Sequence, residues 1–210
     1  MRGFSRVREN SPQPRCPGGH KTSMDKPQFL LIGCLTLVNI VMAPSVWAAS
    51  EDRFTEIAKK ARTEYTLAQK EWQRGVAELV ARTHPEFAAV ASAQRNLQLA
   101  YIEARTAQFE YLLEHDPSRI VLTHGLSSFT NFEWSEDDSK ALIEADPSYA
   151  ALERKVSELR RKNDQQSDWP TFRKFFRYEL VKSNEYQLLL KEFMSRTRQV
   201  EALLESYKTK

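Results

Sequence analysis

Beyond residue 48 this 210-residue chain keeps only two glycines, Gly75 and Gly125, and four prolines, Pro85, Pro117, Pro147 and Pro170. Tight β-turns depend on residues that accept positive φ, so so few glycines leave little room for hairpin-rich sheets. Each of the four prolines stands within two residues of a Thr, His or Asp, where a helix start is expected. Between them run long segments rich in Ala, Glu, Lys, Arg and Leu, without alternating β-branched stretches. The pattern predicts an all-α chain, an elongated helical bundle built from antiparallel helical hairpins with coiled-coil-like packing.

The residues before position 49 read differently. Phe29 to Ala49 carries no charge, and its apolar core from Phe29 to Ala43 is shorter than the about 20 residues that a membrane-spanning helix needs. Pro44 interrupts it, and Val46-Trp47-Ala48 supplies the small-x-small pattern of a signal-peptidase site. Residues 24–48 are therefore expected to be a signal peptide cleaved after Ala48. The alternative is an uncleaved inner-membrane anchor over 29–49. Leu31-Ile32-Gly33-Cys34 looks like a lipobox but has too little apolar sequence before it. Residues 1–23 are basic, with Arg2, Arg6, Arg8, Arg15 and Lys21 against Glu9, and are expected to be a disordered leader. Translation starting at Met24 would omit them. A transit peptide is the other reading, weakened by Pro12, Pro14 and Pro17. Cys16 and His20 provide too few ligands for a metal clip.

This division changes the charge argument. Six of the 31 Lys and Arg and two of the 28 Asp and Glu lie before residue 49, so the remainder is close to neutral although the whole chain is +3. Nucleic-acid binding through overall charge is thereby disfavoured. Both cysteines, Cys16 and Cys34, also fall in the leader, so a hydrophobic core rather than disulfides must hold the exported part together. About 160 residues remain, enough for one helical domain over 49–210.

Within that domain a hairpin is expected over 51–114, with helices from about Glu51 to Arg82 and from about Pro85 to Glu114. Thr83-His84-Pro85-Glu86 reads as a capping box between them. Ala61, Ala68 and Gly75 recur every seven residues, as do Ala93, Ala100 and Ala107. A turn at His84 would set these small residues opposite one another in a close seam. Residues 116–134 lose the helical period but contain Ile120, Val121, Leu122, Phe129, Phe132 and Trp134, so they should fold back over one end of the bundle. Ser135 should cap a helix whose first turn is Glu136-Asp137-Asp138. Asp146-Pro147 should start another, with Tyr149, Leu152, Val156 and Leu159 as its stripe. The segment Thr83–Val90 resembles Ala145–Leu152, most simply as a helix start used twice.

Helices continue over 136–208. Asp168-Trp169-Pro170 should cap a segment in which Trp169, Phe172, Phe176 and Leu180 form an apolar stripe beside Arg173, Lys174 and Arg177. From Tyr186, a heptad of Tyr186, Phe193, Val200 and Tyr207 alternates with Leu190, Thr197 and Leu204. Glu56 with Lys60, Glu158 with Lys162, and Glu192 with Arg196 stand four apart as solvent-facing pairs.

Catalytic chemistry is sparse. His84 stands at an expected turn, His115 at an expected helix end and His124 in the aperiodic connection, and no HExxH, GxSxG, phosphate-binding glycine loop or EF-hand pattern is present. The acids Glu133, Glu136, Asp137 and Asp138 read as a stabilised helix start rather than a cation site. No catalytic, cofactor-binding or metal-ligating residue is expected, and the chain is not expected to be an enzyme. The candidate interaction surface is Trp169, Phe172, Arg173, Lys174, Phe176 and Arg177. The expected function is an exported, periplasmic or secreted, helical binding protein. Its partner would be another protein or a second copy of itself through the Tyr186–Tyr207 heptads. The alternative is a membrane-associated protein held by the 29–49 anchor or by the basic-aromatic helix over 169–178.

Overall fold

The computed structural model describes residues 45–208. These fold as an all-α unit of six α-helices linked by 3₁₀ turns, without a β-strand among the described residues. The basic leader, the signal segment as far as Pro44, the lipobox and most of the anchor lie outside the described residues. Among the described residues, no helix is long and apolar enough to cross a membrane.

Helix α1 spans Ser45–Thr83 and α2 spans Ala88–His115. The junction differs in detail from a capping box. Thr83 still belongs to α1, and its hydroxyl donates back to the Leu79 carbonyl at 2.8 Å. His84 precedes a 3₁₀ turn, Pro85–Phe87, without a side-chain cap bond. Pro85 has no N–H to offer and fixes its own φ, so the chain turns tightly first and α2 starts at Ala88.

Helix α2 packs on α1 along one side and on α4, Pro147–Asp164, along the other. Its buried residues accordingly run around much of its circumference, from Val90 and Leu97 to Ile102, Phe109 and Leu113. Both neighbours run antiparallel to it: Arg62 meets Thr106 and Lys70 meets Glu103, while Tyr149 meets Gln108 and Asn163 meets Gln94. Helix α6, Asn184–Lys208, lies antiparallel on the remaining side of α1, with Tyr186 against Trp72 and Tyr207 against Phe54.

The expected seven-residue seam divides between two interfaces. Gly75 faces α6, where a Cβ would stand 3.1 Å from Leu189 Cδ2. Ala68 borders the same α6 side, beside Leu189 and Phe193. Ala100 and Ala107 pack with Tyr149 and Val156 of α4. Small residues do permit close helix approach, but each stripe serves a helix that the hairpin alone does not contain. The heptad of α6 packs inside the chain: Tyr186, Thr197, Val200 and Leu204 are buried.

Residues 116–134 fold back as expected. Two 3₁₀ segments, Pro117–Arg119 and Leu122–Phe129, bring Ile120, Leu122, Phe129 and Phe132 into a core with Phe109, Ala58 and Leu204. Gly125 kinks the second segment at φ 63°, a left-handed conformation that side chains disfavour. Helix α3, Glu136–Ala145, starts in a complete capping box: the Ser135 hydroxyl accepts from the Asp138 N–H, and Asp138 accepts from the Ser135 N–H. Asp146 caps α4 by accepting from the Ser148 N–H at 2.8 Å. Tyr149, Leu152, Val156 and Leu159 all join the α2–α4 cluster.

Candidate functional site: a basic cleft under α5

Helix α5 spans Trp169–Tyr178 and begins with proline in its first turn. Asp168 makes no side-chain cap bond; its carboxylate accepts from the Ser167 hydroxyl instead. Trp169 supplies the anchor, its Nε1 donating to the Asn163 carbonyl at the end of α4 at 2.7 Å. Asn163 Nδ2 in turn donates to Gln94 Oε1 of α2 at 3.2 Å. The start of α5 is thus tied to α4 and through it to α2.

The inward face of α5 centres on Phe172 and Phe175, 5% and 4% exposed, rather than on Phe172 and Phe176. Phe87 decides this: its ring stacks on Phe175 at 4.9 Å and meets Phe172 edge-on at 5.7 Å. His84 joins this cluster, its ring tilted against Phe175 at 4.3 Å. Phe176 and Trp169 are consequently rotated to the border, half-buried, with Phe176 edge-on to Tyr186 at 5.7 Å. Burial there pushes the Tyr186 phenol above its ordinary pKa.

Along that border a cleft of about 460 Å³ opens between α1, α2 and α5, within the range of about 300–1,000 Å³ usual for ligand sites. Five of the six residues expected to form an interaction surface line it: Trp169, Phe172, Arg173, Phe176 and Arg177. Lys174 is exposed on the neighbouring surface of α5 and is not part of the lining. Trp72, Val76 and Ala77 of α1 and Ala91 of α2 complete the apolar wall. Three amides, Gln73, Gln94 and Gln98, and a third guanidinium, Arg95, complete the polar rim. The contributions of α1 and α2 are not legible from the 169–178 segment. Their only local signal is a run of Gln and Arg on helix faces that are otherwise apolar.

The electrostatics of the cleft are one-sided. Arg95, Arg173 and Arg177 line it, and no Asp or Glu does. Arg95 donates to Ser92 and Asn96, and the Arg173 guanidinium lies 5.2 Å from the Trp169 ring centroid. None of these three guanidiniums takes part in an ion pair among the described residues. The lining also lacks Ser, Cys and His. What it offers is an apolar wall, amide donors and acceptors, and unneutralised positive charge: the parts of a recognition surface.

The other polar groups singled out from the sequence lie elsewhere. His115 is exposed, its Nδ1 donating to the Tyr111 carbonyl at 2.9 Å while the ring stacks on Tyr111. His124 is exposed on the connection. Asp138 is committed to Arg119 and Ser135, and Asp137 to Lys140. Among the described residues no group of three or more His, Cys, Asp or Glu side chains could hold a metal ion.

Comparison with family models, with curated proteins and with solved structures finds no match to this chain.

Proposed function

We propose that this chain is an exported helical binding protein that works without catalysis, through contacts with another protein, and that the cleft under α5 is its recognition site. The observation that carries the reading is the convergence of Trp72, Trp169 and Phe176 with three arginines that have no carboxylate partner in the cleft. Aromatic residues and arginine are the types enriched where proteins bind one another. The inward turn of Phe172 and Phe175 favours a protein partner over insertion into a lipid interface, because the helix keeps its most apolar face for its own chain.

A photo-reactive side chain placed at Lys174, exposed beside the cleft, tests the reading in the native cell. Discrete protein adducts from position 174, without the same adducts from exposed Leu188 on α6, are the expected result. Adducts from neither position, with the purified protein floating on anionic vesicles, would assign the α5 surface to the membrane instead.

A further inference from the structure

The rim of this cleft also carries information about the chemistry of its occupant. We infer, on the basis of the protein-binding reading above, that the partner presents an acidic peptide segment: a bulky apolar side chain seated between Trp72, Val76 and Phe176, flanked by carboxylates that pair with Arg173 and Arg177. Charge complementarity is the first argument. Arg95, Arg173 and Arg177 surround an apolar wall with no carboxylate in the lining. The nearest acids in sequence, Asp168 and Glu179, bracket α5 from its two ends without lining the cleft. A concave, low-dielectric wall strengthens the field of such cations and draws in negative groups.

The glutamines supply the second argument. Gln73 and Gln98 are half-buried in the lining, and their side chains make no hydrogen bond to the described residues. Gln94 spends its Oε1 on Asn163 and keeps its amide N–H groups for the cleft. An amide both donates and accepts, so this row matches the alternating N–H and C=O of a peptide backbone. A fatty carboxylate would use only the donors. The cleft accommodates side chains of a partner rather than a whole helix, which is about 10–12 Å across with its side chains.

The test uses the full chain and three sets of blocked peptides carrying the same Phe and Leu, flanked by glutamate, by lysine or by glutamine. The glutamate set should bind more tightly than the lysine set by about threefold to tenfold, the scale of two exposed ion pairs. That advantage should fade as salt is raised. Arg173→Glu combined with Arg177→Glu should invert the order, and Arg173→Gln with Arg177→Gln should shrink it to the small preference that Arg95 alone supplies. Both arginines are exposed, so circular dichroism should show unchanged helix content in each variant. Equal binding of all three sets, or binding of none, would overturn the inference. So would displacement of the acidic peptide by decanoate or by phosphatidylglycerol vesicles at lower concentration. Protein adducts at position 174 without a charge order among the peptides would sink the acidic segment alone; absence of adducts would sink the wider binding reading.

Discussion

Arg62 donates its Nη1 to the Phe129 carbonyl at 2.9 Å, joining residues 67 positions apart in the chain. Its Nη2 reaches Thr106 Oγ1 at 3.0 Å, so one guanidinium of α1 holds both α2 and the fold-back connection. The side chain is 3% exposed and lies within 6 Å of the Phe109 and Phe129 rings. Burial, with nearby Arg105 adding to it, lowers its pKa to about 10, leaving it charged at neutral pH. Arg62→Ala leaves the buried Phe129 carbonyl without its donor and opens space between two aromatic rings. It should cost about 2–4 kcal/mol, read as a lower urea midpoint. A loss below a few tenths would mean that the connection docks through its aromatics alone.

Gly75 tests the α1–α6 approach. A Cβ there would stand 3.1 Å from the tip of Leu189, a flexible neighbour that can yield by a few tenths of an ångström. Gly75→Ala should therefore be nearly neutral, a gain of up to about 1 kcal/mol in helix propensity offsetting the tightening. Gly75→Leu should destabilise by about 1–3 kcal/mol through overpacking. Leu189→Ala should recover part of that loss in the double variant; additive losses would place the clash elsewhere.

Arg119 and Asp138 give a pH dependence with a definite sign. Two guanidinium nitrogens donate to Asp138 Oδ1 and Oδ2 at 3.0 and 2.9 Å, and the Ser135 N–H adds a third bond. These hold the carboxyl well below its usual range, Arg119 being the largest cause. A carboxyl depressed in the folded state contributes stability above its unfolded pKa of about 3.9 and loses it as pH falls further. The stability difference between the native chain and Asp138→Asn should be full at pH 7 and shrink progressively below about pH 4. A difference that stays constant down to pH 2 would show that the pairing contributes nothing.

Tyr149 fastens α4 to α2. Its hydroxyl accepts from Gln108 Nε2 at 2.8 Å and donates to Glu153 at 2.7 Å. Burial first, then Glu153, pushes the phenol up to about 12 against the pull of Gln108. Tyr149→Phe should cost about 1–2 kcal/mol because the buried Gln108 Nε2 loses its acceptor while Oε1 keeps Arg105. Tyr149→Phe with Gln108→Leu should cost less than the sum of the separate changes. Thermal denaturation at pH 7 reads both, and strict additivity would mean the two residues are uncoupled.

Several elements could be read directly from local residue order. Ser135 followed by Asp138 makes its capping box because both partners lie within one turn of each other. Asp146-Pro147 starts α4 for the same local reason. The stripe from Tyr149 to Leu159 shows its buried face because the helical period repeats in the sequence. Thr83 and Asp168 fail as caps where equally local competitors win: back-bonding to Leu79 in one case, and the Ser167 hydroxyl in the other. Phe175 could not be ranked above Phe176 from α5 alone, since the choice is made by Phe87, far away in sequence.

What the residue order determined by itself was that the chain beyond residue 48 must be helical, where most of its helices begin, and which segment pairs aromatics with cations. Helix propensity, caps and proline act over a turn or two, so they are written locally. Only the tertiary structure decided which helix each small-residue stripe approaches, that the α6 heptad faces α1, and that Arg95 joins Arg173 and Arg177 around one cleft. Those outcomes depend on side chains from α1, α2 and α5 meeting at one place, and packing of that kind has no period along the chain.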